Sequence, residues 1–287
     1  MSNKENDLSV TVYSPESQMR SPVKLLKSMF HDLKESRELA WRLFVRDTSA
    51  RYRQSVLGIL WAFLPPLLSG MVFIILQSRS VLNLGKTDIP YPLFVLVGTT
   101  LWQVFTESVN APLKAVQSAK AMLAKINFPR EALILSAFYD ILFSLAIKSV
   151  ILAAVLIYFK VTVSAGMLLA LPAILMLILL GMAIGLLLTP IGMLYTDVGS
   201  ALTVFIQFWF FVTPVVYPPP TSFPFNLIVK MNPVSPLLVG ARDLLTLGTL
   251  KTPEMFLLVS GFSLVGMFFA WVLYRLALPI IIERMSS

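Results

Sequence analysis

The run Ala201-Leu-Thr-Val-Phe-Ile-Gln-Phe-Trp-Phe-Phe-Val-Thr-Pro214-Val-Val-Tyr217 has the apolar composition of a membrane span. A polar loop should follow it. The chain instead continues Pro218-Pro-Pro-Thr-Ser-Phe-Pro-Phe-Asn-Leu-Ile-Val-Lys230, then Met231-Asn-Pro-Val-Ser-Pro-Leu-Leu-Val-Gly-Ala-Arg-Asp243. This stretch is too apolar for a solvated loop. It is also too interrupted for a full span, because each interior proline removes a helical hydrogen bond and clashes with the preceding turn. In lipid, such backbone is stable only where protein or a water-filled cavity covers it. Residues 218–250 therefore predict a re-entrant helical hairpin entering the membrane from one face. The competing reading is a proline-rich external loop. Broken helices of this kind belong to proteins that guide something across a bilayer.

The composition places the rest of the chain in the same environment. Of 287 residues, 57% are hydrophobic and 13% charged, about half the charged share of soluble domains, which is roughly 25%. Mean hydropathy is +0.80. These values define an integral membrane protein. Cysteine is absent, which excludes disulfides and thiolate metal sites. The single histidine, His31, cannot build a histidine metal cluster and reads as a solvated helix residue. The net charge of +8 first signals loops that set orientation, not nucleic-acid binding. The polar opening, residues 1–22, lacks the pattern of a cleavable signal peptide.

In chain order, residues 1–21 predict a disordered cytoplasmic tail. Ser21-Pro22 has the form of a helix start. Leu26, Phe30, Leu33, Trp41 and Phe44 then recur near helical spacing, with most charges off that stripe. Residues 22–46 thus predict a basic amphipathic helix at the membrane interface, or one packed on a partner. Arg46 to Val56 reads as a basic linker. Six spans are predicted at about 57–77, 92–111, 132–159, 167–190, 201–217 and 255–282, each near the length that crosses about 30 Å of hydrocarbon. Pro65-Pro66 should kink the first of them. The fold class is an all-α membrane protein: 22–287 as one transmembrane domain, with the interface helix first and the hairpin before the last span.

Six spans put both termini on one side. With that side cytoplasmic, Lys and Arg number fifteen inside: ten in residues 1–56, four in 112–131 and Arg284. The outside has six: Arg79, Lys86, Lys160, Lys230, Arg242 and Lys251. The asymmetry predicts cytoplasmic termini.

Motifs for chemistry are sparse. Leu84-Gly85-Lys86-Thr87 lacks the earlier glycine of a phosphate loop, because Ser80 stands there. No dinucleotide, zinc-protease or nucleophile-elbow pattern occurs, so a chain without catalytic residues, metal or cofactor is expected. Charges within spans are Glu107, Asp140, Lys148 and Arg275. They line a polar path or proton relay, or they pair at interfaces, with Arg275 snorkelling. Asp140 and Lys148 share a helix face two turns apart and cannot pair directly. Trp61, Trp102, Phe208 and Trp209 stand among many span aromatics. They read as lipid-facing bulk and interfacial belts, or as an aromatic track on which sugar rings stack.

Three segments together narrow these alternatives. Arg46-Asp47, Arg51-Tyr-Arg-Gln-Ser55, Leu57-Gly-Ile-Leu-Trp61 and Leu64-Pro-Pro66 resemble the approach to the first span in polysaccharide-export permeases of ATP-binding-cassette transporters. Lys125-Ile-Asn-Phe-Pro-Arg-Glu131 is similar to the segment before their third span. Phe211, Pro214-Val-Val-Tyr-Pro218, Asn232-Pro233 and Arg242 resemble their fifth span and external hairpin. The resemblance runs from about residue 30 to the end. It implies a multi-pass permease of the bacterial inner membrane, the membrane subunit of an O-antigen, capsule or teichoic-acid exporter. It further implies a homodimer with two separate ATPase subunits that use the ATP, and an undecaprenyl-linked glycan as substrate. Trp61, Trp102, Phe208 and Trp209 become channel candidates. For contact with the ATPase, the loop Leu113 to Arg130 is expected to carry a helix that projects from the membrane, with Lys120, Lys125, Phe128 and Arg130 as the coupling residues; the short loop near Asp197 and the N-terminal helix are alternatives. A drug or lipid exporter of the same fold, or an ion-coupled carrier, is the rival function.

Overall fold

The computed structural model describes residues 22–53, 58–79, 86–123, 125–126 and 128–286. The expected tail at 1–21, Gln54 to Leu57 and the Leu84-Gly85 part of the phosphate-loop-like pattern lie outside the described residues.

The described residues form helices and connecting turns, with no strand among them. Two helices open the chain, α1 (Pro22–Glu35) and α2 (Arg37–Arg53). Only Ser36 separates them, and its hydroxyl and amide both bond back to the Asp32 carbonyl. Helix therefore runs through most of what reads in sequence as a linker. A 3₁₀ turn, Gly58–Ala62, leads into α3 (Leu64–Ser78). The expected kink is absent, because Pro65 and Pro66 occupy the first turn of α3. There the missing proline N–H would be unpaired anyway, so the pair starts the helix and does not bend it.

Next come α4 (Tyr91–Ser118) and the single turn α5 (Lys120–Leu123). They are followed by α6 (Glu131–Tyr158), α7 (Ala170–Leu194) and α8 (Asp197–Val212). The chain closes with α9 (Phe225–Met231), α10 (Val234–Thr246) and α11 (Pro253–Ser286). Glu131–Tyr158, Ala165–Leu194 and Pro253–Ile281 are long and apolar enough to cross a membrane. The other expected spans fall on α3, α4 and α8. α4 has the length, at 28 residues, but Gln103, Thr106, Glu107, Ser108 and Asn110 dilute its apolar run. α3 and α8 have 15 and 16 residues, short of the roughly 20 that a perpendicular span uses.

α7 is the central helix and packs against α4, α11, α10 and α8. Its approach to α4 depends on two glycines four residues apart. A Cβ at Gly181 would lie 2.7 Å from the Ser108 Cβ, and one at Gly185 would lie 2.3 Å from the Val109 carbonyl oxygen. Small residues at this spacing let helix backbones come close where lipid provides no hydrophobic drive.

The stretch 218–250 forms a helical hairpin. Asn232 makes its corner: the carboxamide oxygen accepts from Trp209 Nε1 (3.0 Å) and the Val234 amide (3.1 Å), and Nδ2 donates to Thr213 Oγ1 (2.8 Å). α10 is almost wholly buried against α7, α4 and α11. α9 leaves Phe225, Leu227, Ile228 and Met231 exposed. Arg242 is not the loop charge that the sequence implies. It is 2% exposed, and Nη1 donates to the carbonyls of Pro214 (3.1 Å) and Val215 (3.2 Å). Its guanidinium carbon sits 3.6 Å from the Phe94 ring centroid. Gly98 makes room for this arrangement, since a Cβ there would meet the Val215 oxygen at 2.3 Å. A salt bridge from Lys251 to Asp88 ties the start of α11 to the segment before α4 and holds the Asp88 carboxyl below its usual range.

Candidate functional site

The four charges expected inside spans, Glu107, Asp140, Lys148 and Arg275, are all paired, each with a residue of another helix. Arg51 of α2 donates to both carboxylate oxygens of Asp140 on α6, at 3.1 and 2.9 Å. Two-point contact of this kind fixes the relative position of both groups. Two turns further along α6, Lys148 lies 2.5 Å from the Glu107 carboxylate of α4. Ser144 stands between them, donating to Glu107 (2.6 Å) and accepting from Lys148 (2.8 Å). The Lys148 side chain is fully buried, which is tolerable only because its charge is matched. Arg275 of α11 does not snorkel. It bonds Asp32 Oδ2 (2.7 Å) and Ser28 Oγ (3.1 Å) on α1, and Glu131 on α6.

Asp140, Ser144 and Lys148 recur every fourth residue, so one face of α6 presents all three. Beside that face lie two adjoining cavities of 310 and 340 Å³ that share Arg51, Ala111, Lys114 and Asp140. The larger also reaches Tyr52, Trp61, Glu107, Asn110 and Ser144. This lining mixes cations, carboxylates and an amide with an exposed indole. It offers hydrogen-bond donors, acceptors and a flat apolar face, which together suit a ligand rich in hydroxyl groups. Among the described residues no group of three metal-ligating side chains converges.

The four aromatic candidates separate. Trp61 borders the polar groove, and Phe208 is exposed on α8. Trp102 is buried at 6% exposure, packed on Phe105 and Phe210 at centroid distances of 5.4 and 5.7 Å. Trp209 packs on Phe105 (5.4 Å) and Phe205 (5.3 Å). Trp102 and Trp209 therefore hold one aromatic cluster together, and Trp102 offers no open face in the single chain.

The loop Leu113 to Arg130 also differs from expectation. It is not one projecting helix. Leu113 to Ser118 continue α4, with Leu113 and Val116 buried, because the apolar stripe of α4 extends past its membrane-like part. The helical remainder is the single turn Lys120–Leu123. Lys120 and Lys125 are exposed. Phe128 is half-buried and packs against the core, so it anchors the loop to the helical bundle itself. Arg130 is half-buried, and its carbonyl faces the Tyr274 hydroxyl at 3.5 Å. The sequence reading missed Ile126, a 60% exposed apolar side chain beside Lys125. It also missed the convergence of Arg51 on Asp140. No local pattern announces that pairing across 89 residues.

Comparison with known proteins supplies the lineage. Residues 38–246 match the family described as ABC-2 type transporter. The chain is 25% identical over 241 residues to an O-antigen export system permease protein RfbA of Myxococcus xanthus, covering 83% of this chain and 91% of that relative. A Klebsiella pneumoniae protein with the same description is 26% identical over 226 residues, covering 76% of this chain and 85% of the relative.

Proposed function

Because the chain belongs to the ABC-2 type transporter family, we propose that it is the permease subunit of an ATP-driven exporter that moves a lipid-linked polysaccharide across a bacterial inner membrane. The observation that carries this reading is the co-linear match to O-antigen export permeases over 83% of the chain. The groove beside α6 adds a path whose polar lining and exposed Trp61 suit sugars.

In this reading a second copy of the chain completes the channel, and Trp61 and Phe208 line it. Trp102 and Trp209 set its wall from behind. ATP is bound and hydrolysed by two copies of a separate subunit, and this chain carries no cofactor or metal. The undecaprenyl diphosphate of the substrate enters on the basic cytoplasmic face, where cations attract anionic headgroups. Six spans leave both termini cytoplasmic, with the hairpin 218–250 embedded from outside. With buried Arg242 set aside, the loop cations number fifteen against five, which supports that orientation.

Deletion of the gene tests the function. Surface glycan should disappear while lipid-linked glycan accumulates inside, and the wild-type gene should restore export. Normal surface glycan in the deletion strain would exclude the reading and favour a drug or lipid exporter.

A further inference from the structure

The two cavities beside α6 meet at a cation that the ion pairs leave over. Their charged lining is Asp47, Arg51, Glu107, Lys114 and Asp140. Each carboxylate already holds a cation: Asp47 accepts from Arg46 Nε (2.7 Å), Asp140 from Arg51, and Glu107 pairs with Lys148. Lys114 forms no ion pair among the described residues. It is exposed in the penultimate turn of α4 and borders both cavities. Arg46, Arg51, Lys114 and Lys148 thus stand against Asp47, Glu107 and Asp140, and the junction carries one positive charge in excess.

Arg51 adds spare donors to that charge. Its two bonds to Asp140 use one N–H of each terminal nitrogen, and a guanidinium has five. Even with its contact to Tyr52, two N–H groups remain. The side chain is 36% exposed, so a ligand reaches it without breaking the bridge. Asn110, half-buried in the larger cavity, gives one N–H to the Thr106 carbonyl and keeps a second. A surplus cation beside spare N–H donors suits an anion with several oxygens, and phosphate is the group that takes both charge and bonds. The carboxylates of the lining do not repel it outright, because each is neutralised by its own cation. A sugar alone would leave the charge of Lys114 unmatched.

We infer that Lys114 and Arg51 form a subsite for the phosphate that joins the lipid carrier to its glycan. The first sugar then lies in the larger cavity, beside Ser144 and the Trp61 indole. The inference rests on the glycan-export reading and names the groups that recognise the anionic link of that substrate.

The test titrates the purified permease–ATPase complex, in a neutral detergent, with undecaprenyl diphosphate as probe and reads binding by native mass spectrometry. The wild type should retain the probe, and undecaprenol, which lacks the phosphates, should bind roughly tenfold more weakly or worse. Lys114→Gln should weaken the diphosphate by roughly tenfold or more, the effect of one lost bond to a charged group. Lys114→Arg should keep most of the affinity. Lys27→Gln, at an exposed cation of α1 outside both cavities, should bind as the wild type does. Equal binding in wild type and Lys114→Gln, or of the carrier with and without its phosphates, overturns the subsite. Displacement of the probe by equimolar phosphatidylglycerol or inorganic diphosphate assigns the cations to bulk lipid or to free phosphate and overturns it too. The gene deletion separates the two readings: surface glycan lost on deletion, with binding unaltered in Lys114→Gln, removes the subsite alone, and surface glycan retained removes both.

Discussion

Arg275 shows what one buried charge does in this chain. Its guanidinium joins α11 to Asp32 and Ser28 on α1 and to Glu131 on α6. Asp32, Glu131 and Arg275 are all nearly inaccessible, so removing the cation strands two buried acids. Arg275→Met should destabilise the purified permease by about 3–5 kcal/mol, seen as a marked fall in its thermal midpoint. Asp32→Asn, which leaves Arg275 its bond to Glu131, should cost less. An unchanged midpoint in Arg275→Met would mean that the three-helix clamp contributes nothing. The sequence marks Arg275 as unusual because charge inside an apolar run is costly. It could not show the partners, which stand 243 and 144 residues away. Arg242 repeats the lesson: the sequence counts it among the outer cations, and only the folded hairpin shows it buried on α10 with its guanidinium over the Phe94 ring.

At the scale of elements, the long apolar helices were legible because composition and length decide them. α6, α7 and α11 meet the requirements for a span on those grounds. Helix at the start was legible, but the stripe was not: Phe30 and Trp41 are exposed, and Leu25, Met29, Ala40 and Leu43 join Phe44 on the buried side of two helices, α1 and α2. What local pattern could not settle was where a helix stops. α4 runs on to Ser118 because its buried face continues beyond its apolar part, and this shortens the loop expected to project. That difference redirects the coupling hypothesis. Phe128 is held by the core, so Phe128→Ala should loosen the permease before it affects a partner. Ile126 and Lys125 are exposed side by side. An exposed apolar side chain flanked by a cation suits a partner cleft, and a docked loop transmits closure as rigid-body movement. Ile126→Asp combined with Lys125→Glu should release the ATPase or uncouple its hydrolysis from export, with membrane insertion intact. Normal co-purification and normal export in that variant would move the coupling contact to α1 and α2.

The whole molecule presents a surface that one copy leaves uncovered. α8 exposes Val204, Phe205, Phe208 and Phe211 along its length, and in the proposed assembly this face turns to a second copy around the channel. The chain has no cysteine, so Phe208→Cys introduces a single thiol. Oxidation in membranes should give a cross-linked dimer if α8 lies near the two-fold axis. Monomer alone, with the thiol reactive to a lipid-soluble reagent, would place α8 against lipid and the axis elsewhere.

The central claim is that this chain moves a lipid-linked glycan when a separate ATPase turns over. Inside-out membrane vesicles containing the permease, its ATPase and lipid-linked glycan measure that directly, through the glycan that becomes protected from an added glycosidase. Protection should grow with ATP and be absent both without the permease and with an ATPase unable to hydrolyse ATP. Glycan that stays fully accessible while the assembled complex hydrolyses ATP would contradict it.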